Sequence, residues 1–298
     1  SKGLIAPDFP YLRIAGEYEK AGAAAVSVLT EPDFFMGSDR YLQEIAAKIH
    51  IPVLRKDFTV DEYMIYEARL LGASAVLLIC AILTKGQIKE YLHTCDELGL
   101  SALVEVHNEA EAETALQAGA RIIGVNNRSL KDFSVDPDNS RRLRALIPRE
   151  VLFVSESGVR SAGDIAVLRE LGADGVQVGT RFVTTRECDA SDAYKQAYLD
   201  AKKEDIVIVK SPVGMPGRAI RNAFLERAEK GPIPHGRCFG CIKTCKPADT
   251  PYCITEALIR AVEGDVENGL LFCGSNACRS DKIEKVEDIL GEVADALK

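Results

Sequence analysis

Four residues stand where short apolar runs turn polar: Lys56, Glu105, Asn126 and Glu156. The runs read Val53-Leu54-Arg55-Lys56, Leu103-Val104-Glu105-Val106, Gly124-Val125-Asn126-Asn127 and Val154-Ser155-Glu156-Ser157. A lysine set against two carboxylates is an acid/base group, because burial and mutual charge tune how tightly each member holds its proton. Arg128 follows the third run, Ser157-Gly158 the fourth, and Gly179-Thr180 ends a later one. Backbone N–H groups in such turns hold phosphate when a helix begins there. The set therefore points to a small phosphorylated substrate.

These residues must be positioned by the runs that precede them. Strands are predicted at Ala24–Leu29, Pro52–Lys56, Ala75–Ile79, Ala102–Val106, Arg121–Val125, Val151–Ser155 and Gly175–Gly179. Helical periodicity fills the intervals, as at Asp61–Leu71 and Lys85–Leu98. Glycines Gly22, Gly72, Gly99, Gly119 and Gly172 stand where helices should stop before the next strand. Strands this apolar are covered on both faces, as in parallel sheets. Such units in series predict a (β/α)8 barrel, with reactive groups at the C-terminal strand ends. An open doubly wound sheet is the alternative on pattern alone.

After Phe182 the rhythm changes. A helix is predicted at Asp192–Lys203, a strand at Asp205–Val209, and helices at Thr255–Glu263 and Ile283–Leu297. The expected organisation is a barrel over residues 1–182 and an α-rich, cysteine-containing extension over 183–298.

Composition narrows the function. A net charge of −8 opposes general affinity for nucleic acid. The longest apolar run, Ala73–Leu83, is too short to span a membrane, and the opening residues lack a secretory pattern. A cytoplasmic protein is expected. Nine cysteines include the close series Cys238, Cys241, Cys245 and Cys253, with His235 just upstream. Four such thiolates suit zinc or an iron–sulfur cluster; free thiols or a disulfide are the other readings. His50, His93 and His107 read as ordinary helix or loop residues, and Glu109, Glu111 and Glu113 as a solvated helix face.

The strings Ser27-Val28-Leu29-Thr30-Glu31, Val53-Leu54-Arg55-Lys56-Asp57-Phe58, Leu103-Val104-Glu105-Val106-His107, Gly124-Val125-Asn126-Asn127-Arg128 and Ser155-Glu156-Ser157-Gly158 resemble indole-3-glycerol-phosphate synthase, in order and spacing. The resemblance runs over about residues 1–172. It implies a lyase of tryptophan biosynthesis that closes an indole ring, with loss of carbon dioxide and water, and needs no cofactor. It implies Lys56 as general acid, Glu105 in proton transfer, and Asn126 and Glu156 as orienting groups. Arg128 would support them, and Ser157, Gly158, Gly179 and Thr180 would line the phosphate pocket. That family's first strand, with a further lysine and glutamate, has no counterpart in the string. Weak or absent synthase activity is expected unless another segment replaces it. Ile206–Val209, followed by Lys210-Ser211-Pro212, is a candidate replacement, against the simpler reading that it belongs to the extension.

From about residue 172 the chain resembles nitronate monooxygenase and related flavin-dependent enoyl reductases, through Gly172–Phe182, Ser211–Ile220, Tyr252-Cys253-Ile254 and Gly269–Ala277. This second resemblance implies FMN and an oxidoreductase as the alternative function. A hybrid that binds a phosphate ester without turnover is the third reading. The two resemblances meet within the predicted helix Ala162–Leu171.

Overall fold

Each predicted strand forms close to its expected bounds: β1 (Val26–Leu29), β2 (Val53–Lys56), β3 (Ala75–Ile79), β4 (Ser101–Val106), β5 (Ile122–Asn126), β6 (Leu152–Glu156) and β7 (Gly175–Gln177). The computed structural model describes residues 9–33, 35, 37–129, 134–209, 212, 217–234, 236, 238 and 245–296. The seven strands make one sheet in sequence order, and every neighbouring pair is parallel. Parallel neighbours require crossovers, and helices supply them. They are α2 (Asp39–Lys48), α3 (Tyr63–Leu70), α4 (Lys85–Glu97), α5 (Glu109–Ala118), α6 (Asp138–Arg144) and α7 (Ala162–Glu170), with α1 (Tyr11–Lys20) ahead of β1. Local chemistry sets their ends. Thr84 caps α4 reciprocally with Gln87, and α5 stops at Gly119 in the left-handed conformation, at φ 94°.

Alternation along the strands separates two faces. Val76, Leu78, Val104, Ile123 and Phe153 point outward and are fully buried against Ile65, Ile88, Ala112, Ala115 and Leu143 of the helices. Burial of each large side chain contributes about 1.5–3 kcal/mol, so this layer holds the strands rigidly. The opposite face is the barrel interior, and there the reactive residues lie.

Among the described residues the barrel is incomplete. β1 pairs only with β2, and β7 only with β6. Helix α1 packs on α2, and its Tyr18 ring meets Phe182 after β7, with centroids 5.3 Å apart. Ile206–Val209 does not bridge the open edges. It is β8, paired antiparallel with β9 (Gly217–Ile220) in a separate two-stranded sheet. Apolar residues on both strands explain the choice: Val207, Val209 and Ala219 pack with Phe224, Tyr252, Leu258 and Leu270 in a second core.

The remaining helices are α8 (Asp192–Asp200), α9 (Ala223–Lys230), α10 (Ile254–Glu263) and α11 (Val286–Ala296). Helix α8 ends before the expected Lys203. Ala201 turns extended, at ψ 132°, and the Lys202 N–H is taken by the Asp205 carboxylate at 2.8 Å. Helix α11 returns to pack on α7. Arg181 is buried between Glu284, 3.1 Å away, and Glu292, and donates to the Arg160 carbonyl at 3.0 Å. Arg279 pairs with Asp164 on α7 at 3.0 Å. The residues after β7 are thus bound to the β6–β7 side of the barrel by charge as well as by apolar packing.

Candidate active site

Lys56, Glu105, Asn126 and Glu156 all fall on the inner face, because each is two or four residues from an inward apolar neighbour on its own strand. Glu105 lies beside Gly124, and Asn126 beside Glu156. Gly124 matters through what it lacks: a Cβ there would sit 3.1 Å from Glu156 Oε1 and 3.2 Å from Leu103 Cδ1. The space lets the Glu156 carboxyl reach back toward Glu105. Burial pushes the Glu156 carboxyl up to about 7, and the charge of Glu105 adds to it, while Lys56 and His107 oppose the rise. Glu156 is 4% exposed, so little solvent screens these effects. A carboxyl that exchanges its proton near neutrality, within the field of a lysine and a second carboxylate, is equipped for acid/base work.

Above this cluster the rim is built for an anion. Asn126 Oδ1 accepts from Ser157 Oγ at 2.9 Å and from the Arg128 N–H at 3.0 Å. Ser157 is the one described non-glycine residue with positive φ, at 68°, and Gly158 follows at 89°. These two successive left-handed residues make a tight turn directly after β6. Arg128 is largely buried and its Nε has no hydrogen-bond partner. Burial lowers its proton affinity and the nearby Arg218 charge lowers it further, against the pull of Glu156. An anion between two such guanidiniums relieves their repulsion. Gly179 precedes a 3-10 turn, Thr180–Thr184. The Asn276 amide donates to the Gly158 carbonyl at 2.5 Å, and Gly274 is pressed against Thr180. One turn, residues 274–276, therefore holds the Ser157-Gly158 and Gly179-Thr180 loops together.

Three residues read differently in the structure. His107 is not an ordinary loop residue: its side chain is 10% exposed and lies 3.3 Å from Glu105 and 3.1 Å from Glu111. Glu111 is not part of a solvated face, because it accepts from the His107 N–H at 2.8 Å and from Asn108 at 2.7 Å. The signal was present as Asn108-x-x-Glu111, a helix-start pattern that turns the glutamate back on the preceding residues. Asn127, unmarked in the sequence, accepts from Ser140 N and Oγ and donates to Ser155 Oγ and the Ser157 carbonyl. It ties the rim to α6. His50 and His93 are exposed.

Cys238 is exposed, Cys245 and Cys253 are half-buried, and no group of three His, Cys, Asp or Glu gathers to hold a metal among the described residues. Cys241 and His235 lie outside the described residues.

The fold and its rim define a class: an incomplete (β/α) barrel with a lysine–carboxylate cluster at the C-terminal strand ends and an anion-binding rim above it. The sequence profile of indole-3-glycerol phosphate synthase matches residues 1–194. The chain belongs to that family. It is 56% identical over 190 residues to the indole-3-glycerol phosphate synthase of Ruminiclostridium cellulolyticum, covering 64% of this chain and 73% of that protein. It is 59% identical over 183 residues to that of Endomicrobium trichonymphae, covering 61% and 71%. The nitronate monooxygenase profile matches residues 150–295, overlapping the first match across α7. In fold the chain is similar to FabK from Thermotoga maritima (TM-score 0.64, 20% identity, 97% of this chain and 88% of that one). It is also similar to a nitroalkane oxidase from Streptomyces ansochromogenes (TM-score 0.67, 15% identity, 98% and 94%).

Glu105 and Glu156 stand together at the mouth, buried at 4% exposure each, with Lys56, His107 and Arg128 as the cations about Glu156.

Proposed function

We propose that this chain is a synthase-type carboxy-lyase acting on a carboxyphenylamino-deoxyribulose phosphate. The observation that supports it best is the arrangement of Lys56, Glu105, Asn126 and Glu156 on one inner face, with the proton of Glu156 poised near neutrality. The Ser157-Gly158 and Gly179-Thr180 loops, with Arg128, receive the substrate phosphate, which anchors the chain of the sugar over the cluster. Lys56 donates its proton to the substrate carbonyl oxygen as the aryl carbon bearing the carboxylate bonds to the carbonyl carbon. Loss of carbon dioxide returns the bonding pair to the ring. Glu105 then serves the proton transfers by which the new hydroxyl leaves as water. Glu156 and Asn126 orient substrate hydroxyls, and Glu156 shares the field of Lys56.

The test is the appearance of indole-glycerol-phosphate fluorescence from its precursor, with Lys56→Ala as control. A general acid contributes about 10²–10⁴-fold, so the variant should lose at least that lower factor. Turnover indifferent to Lys56→Ala overturns the assignment. A yellow protein with bound flavin overturns the reading as a whole. Phosphate-ester binding without turnover in the wild type reduces it to binding alone.

A further inference from the structure

His107 stands just beyond β4, inside the charged cluster yet without a part in the chemistry above. Its backbone is fixed on both sides. The N–H donates to Glu111 Oε2 at 2.8 Å, and the carbonyl accepts from Asn139 Nδ2 at 3.1 Å. Its ring is fixed as well. Nδ1 lies 3.1 Å from the same Glu111 oxygen, and Nε2 lies 3.3 Å from Glu105 Oε1. Nε2 is buried and makes no aligned hydrogen bond. Glu111 is itself pinned by the Asn108 amide and its position in the first turn of α5.

We propose that His107 and Glu111 are positioning residues for Glu105: Glu111 fixes the proton on Nδ1 and the plane of the ring, and the ring turns Nε2 toward the Glu105 carboxylate. This rests on the role given to Glu105 above. The logic is that of a carboxylate orienting a histidine that in turn orients a reacting group. The groups acting on His107 are Glu105 on β4, Glu111 on α5 and Glu156 on β6, while the Cys80 thiol beyond β3 meets the charges of both Glu111 and Glu105. Three of these are carboxyls. Cys80 is pushed up to about 12 by burial and then by those charges, so it stays a neutral thiol and offers the ring no counter-charge. Burial opposes protonation of His107, but the bond to Glu111 and the charges of Glu105, Glu111 and Glu156 outweigh it and hold the imidazole above its ordinary value. The ring nitrogens thus face carboxyls on both sides, Glu111 at Nδ1 and Glu105 at Nε2.

Two measurements on the full chain test this. The first is a proton–carbon NMR titration of the four histidines, with His107 assigned by its loss in His107→Gln. His107 should titrate above the ordinary value, and Glu111→Gln should bring it down by a clearly resolved shift. An ordinary titration, or one indifferent to Glu111→Gln, overturns the proposal, and this arm needs no turnover. The second is steady-state kinetics. His107→Ala should lower kcat about 10- to 100-fold, the range for groups that orient a functional partner, with KM nearly unchanged. It should also move the acidic limb of the kcat profile, and His107→Gln should restore part of the rate. Loss of activity in Lys56→Ala with an unaltered rate and profile in His107→Ala removes the positioning role and leaves the lyase reading standing. Indifference of turnover to Lys56→Ala removes the lyase reading, and the NMR arm then decides the histidine's arrangement alone.

Discussion

Glu156→Gln should stabilise this fold in a pH-dependent way. In the unfolded chain Glu156 ionises near its ordinary 4.5, whereas in the folded chain it does so at about 7. Below pH 4.5 both states carry the proton and the group has no effect. From 4.5 to about 7 the unfolded chain releases the proton and the folded chain retains it, so stability falls as pH rises. Each tenfold in proton affinity is about 1.4 kcal/mol, which puts the cost above pH 7 at about 3 kcal/mol. Glutamine keeps the shape and removes the charge, so the variant avoids that cost. The chain has no tryptophan, so urea unfolding should be followed by far-ultraviolet circular dichroism at pH 5, 6, 7 and 8. The variant should exceed wild type by less than about 1 kcal/mol near pH 5 and by about 3 kcal/mol at pH 8. A difference that stays constant across this window would refute the claim that Glu156 is buried beside a like charge.

Other substitutions probe the scaffold. Arg181→Met leaves Glu284 buried and partly unpaired beside Lys282, and should cost about 3–5 kcal/mol in urea unfolding; a cost below about 1 kcal/mol would mean the pair is solvated. Asn127→Ala leaves the buried Ser140 and Ser155 hydroxyls only each other as partners and strips the Ser140 N–H of its acceptor, and should destabilise by about 1–3 kcal/mol, with weaker phosphate-ester binding because the Ser157 carbonyl loses its donor; unchanged thermal stability would contradict the network. Gly274→Ala drives a methyl into Thr180 and should cost about 1–3 kcal/mol, together with a raised Kd for inorganic phosphate by calorimetry; an unaltered Kd would separate Thr180 from the rim.

Much of the barrel was readable in the chain because its signals are local. Seven apolar runs ending in polar residues gave strands within about two residues of the observed bounds, and Gly119 marked a helix stop by its conformation. The inner-face cluster followed from alternation once the strand ends were known. What escaped depends on contacts that no window of sequence contains. Arg55 is buried outside the barrel among Thr30, Asp39, Asp57 and Glu67, although its neighbour Lys56 points inward. Arg181 meets Glu284 across 103 residues. The His107–Glu111 pair is the local exception: its helix-start pattern Asn108-x-x-Glu111 was legible, but the pair straddles a strand end and a helix start and so matched neither periodicity. Ile206–Val209 echoed a barrel strand in composition but found a nearer partner in Gly217–Ile220.

The turn at residues 274–276 has a thermodynamic corollary. Because Asn276 grips the Gly158 carbonyl and Gly274 abuts Thr180, occupancy of the rim and attachment of the segment ending in α11 share one free energy. Linkage makes this reciprocal. An anion at about 100 times its dissociation constant would protect that segment by about 2.7 kcal/mol against opening, visible as slowed amide hydrogen exchange in α11. A cut or a loosening substitution far along the chain would, by the same measure, reduce the affinity for phosphate at a loop it never touches.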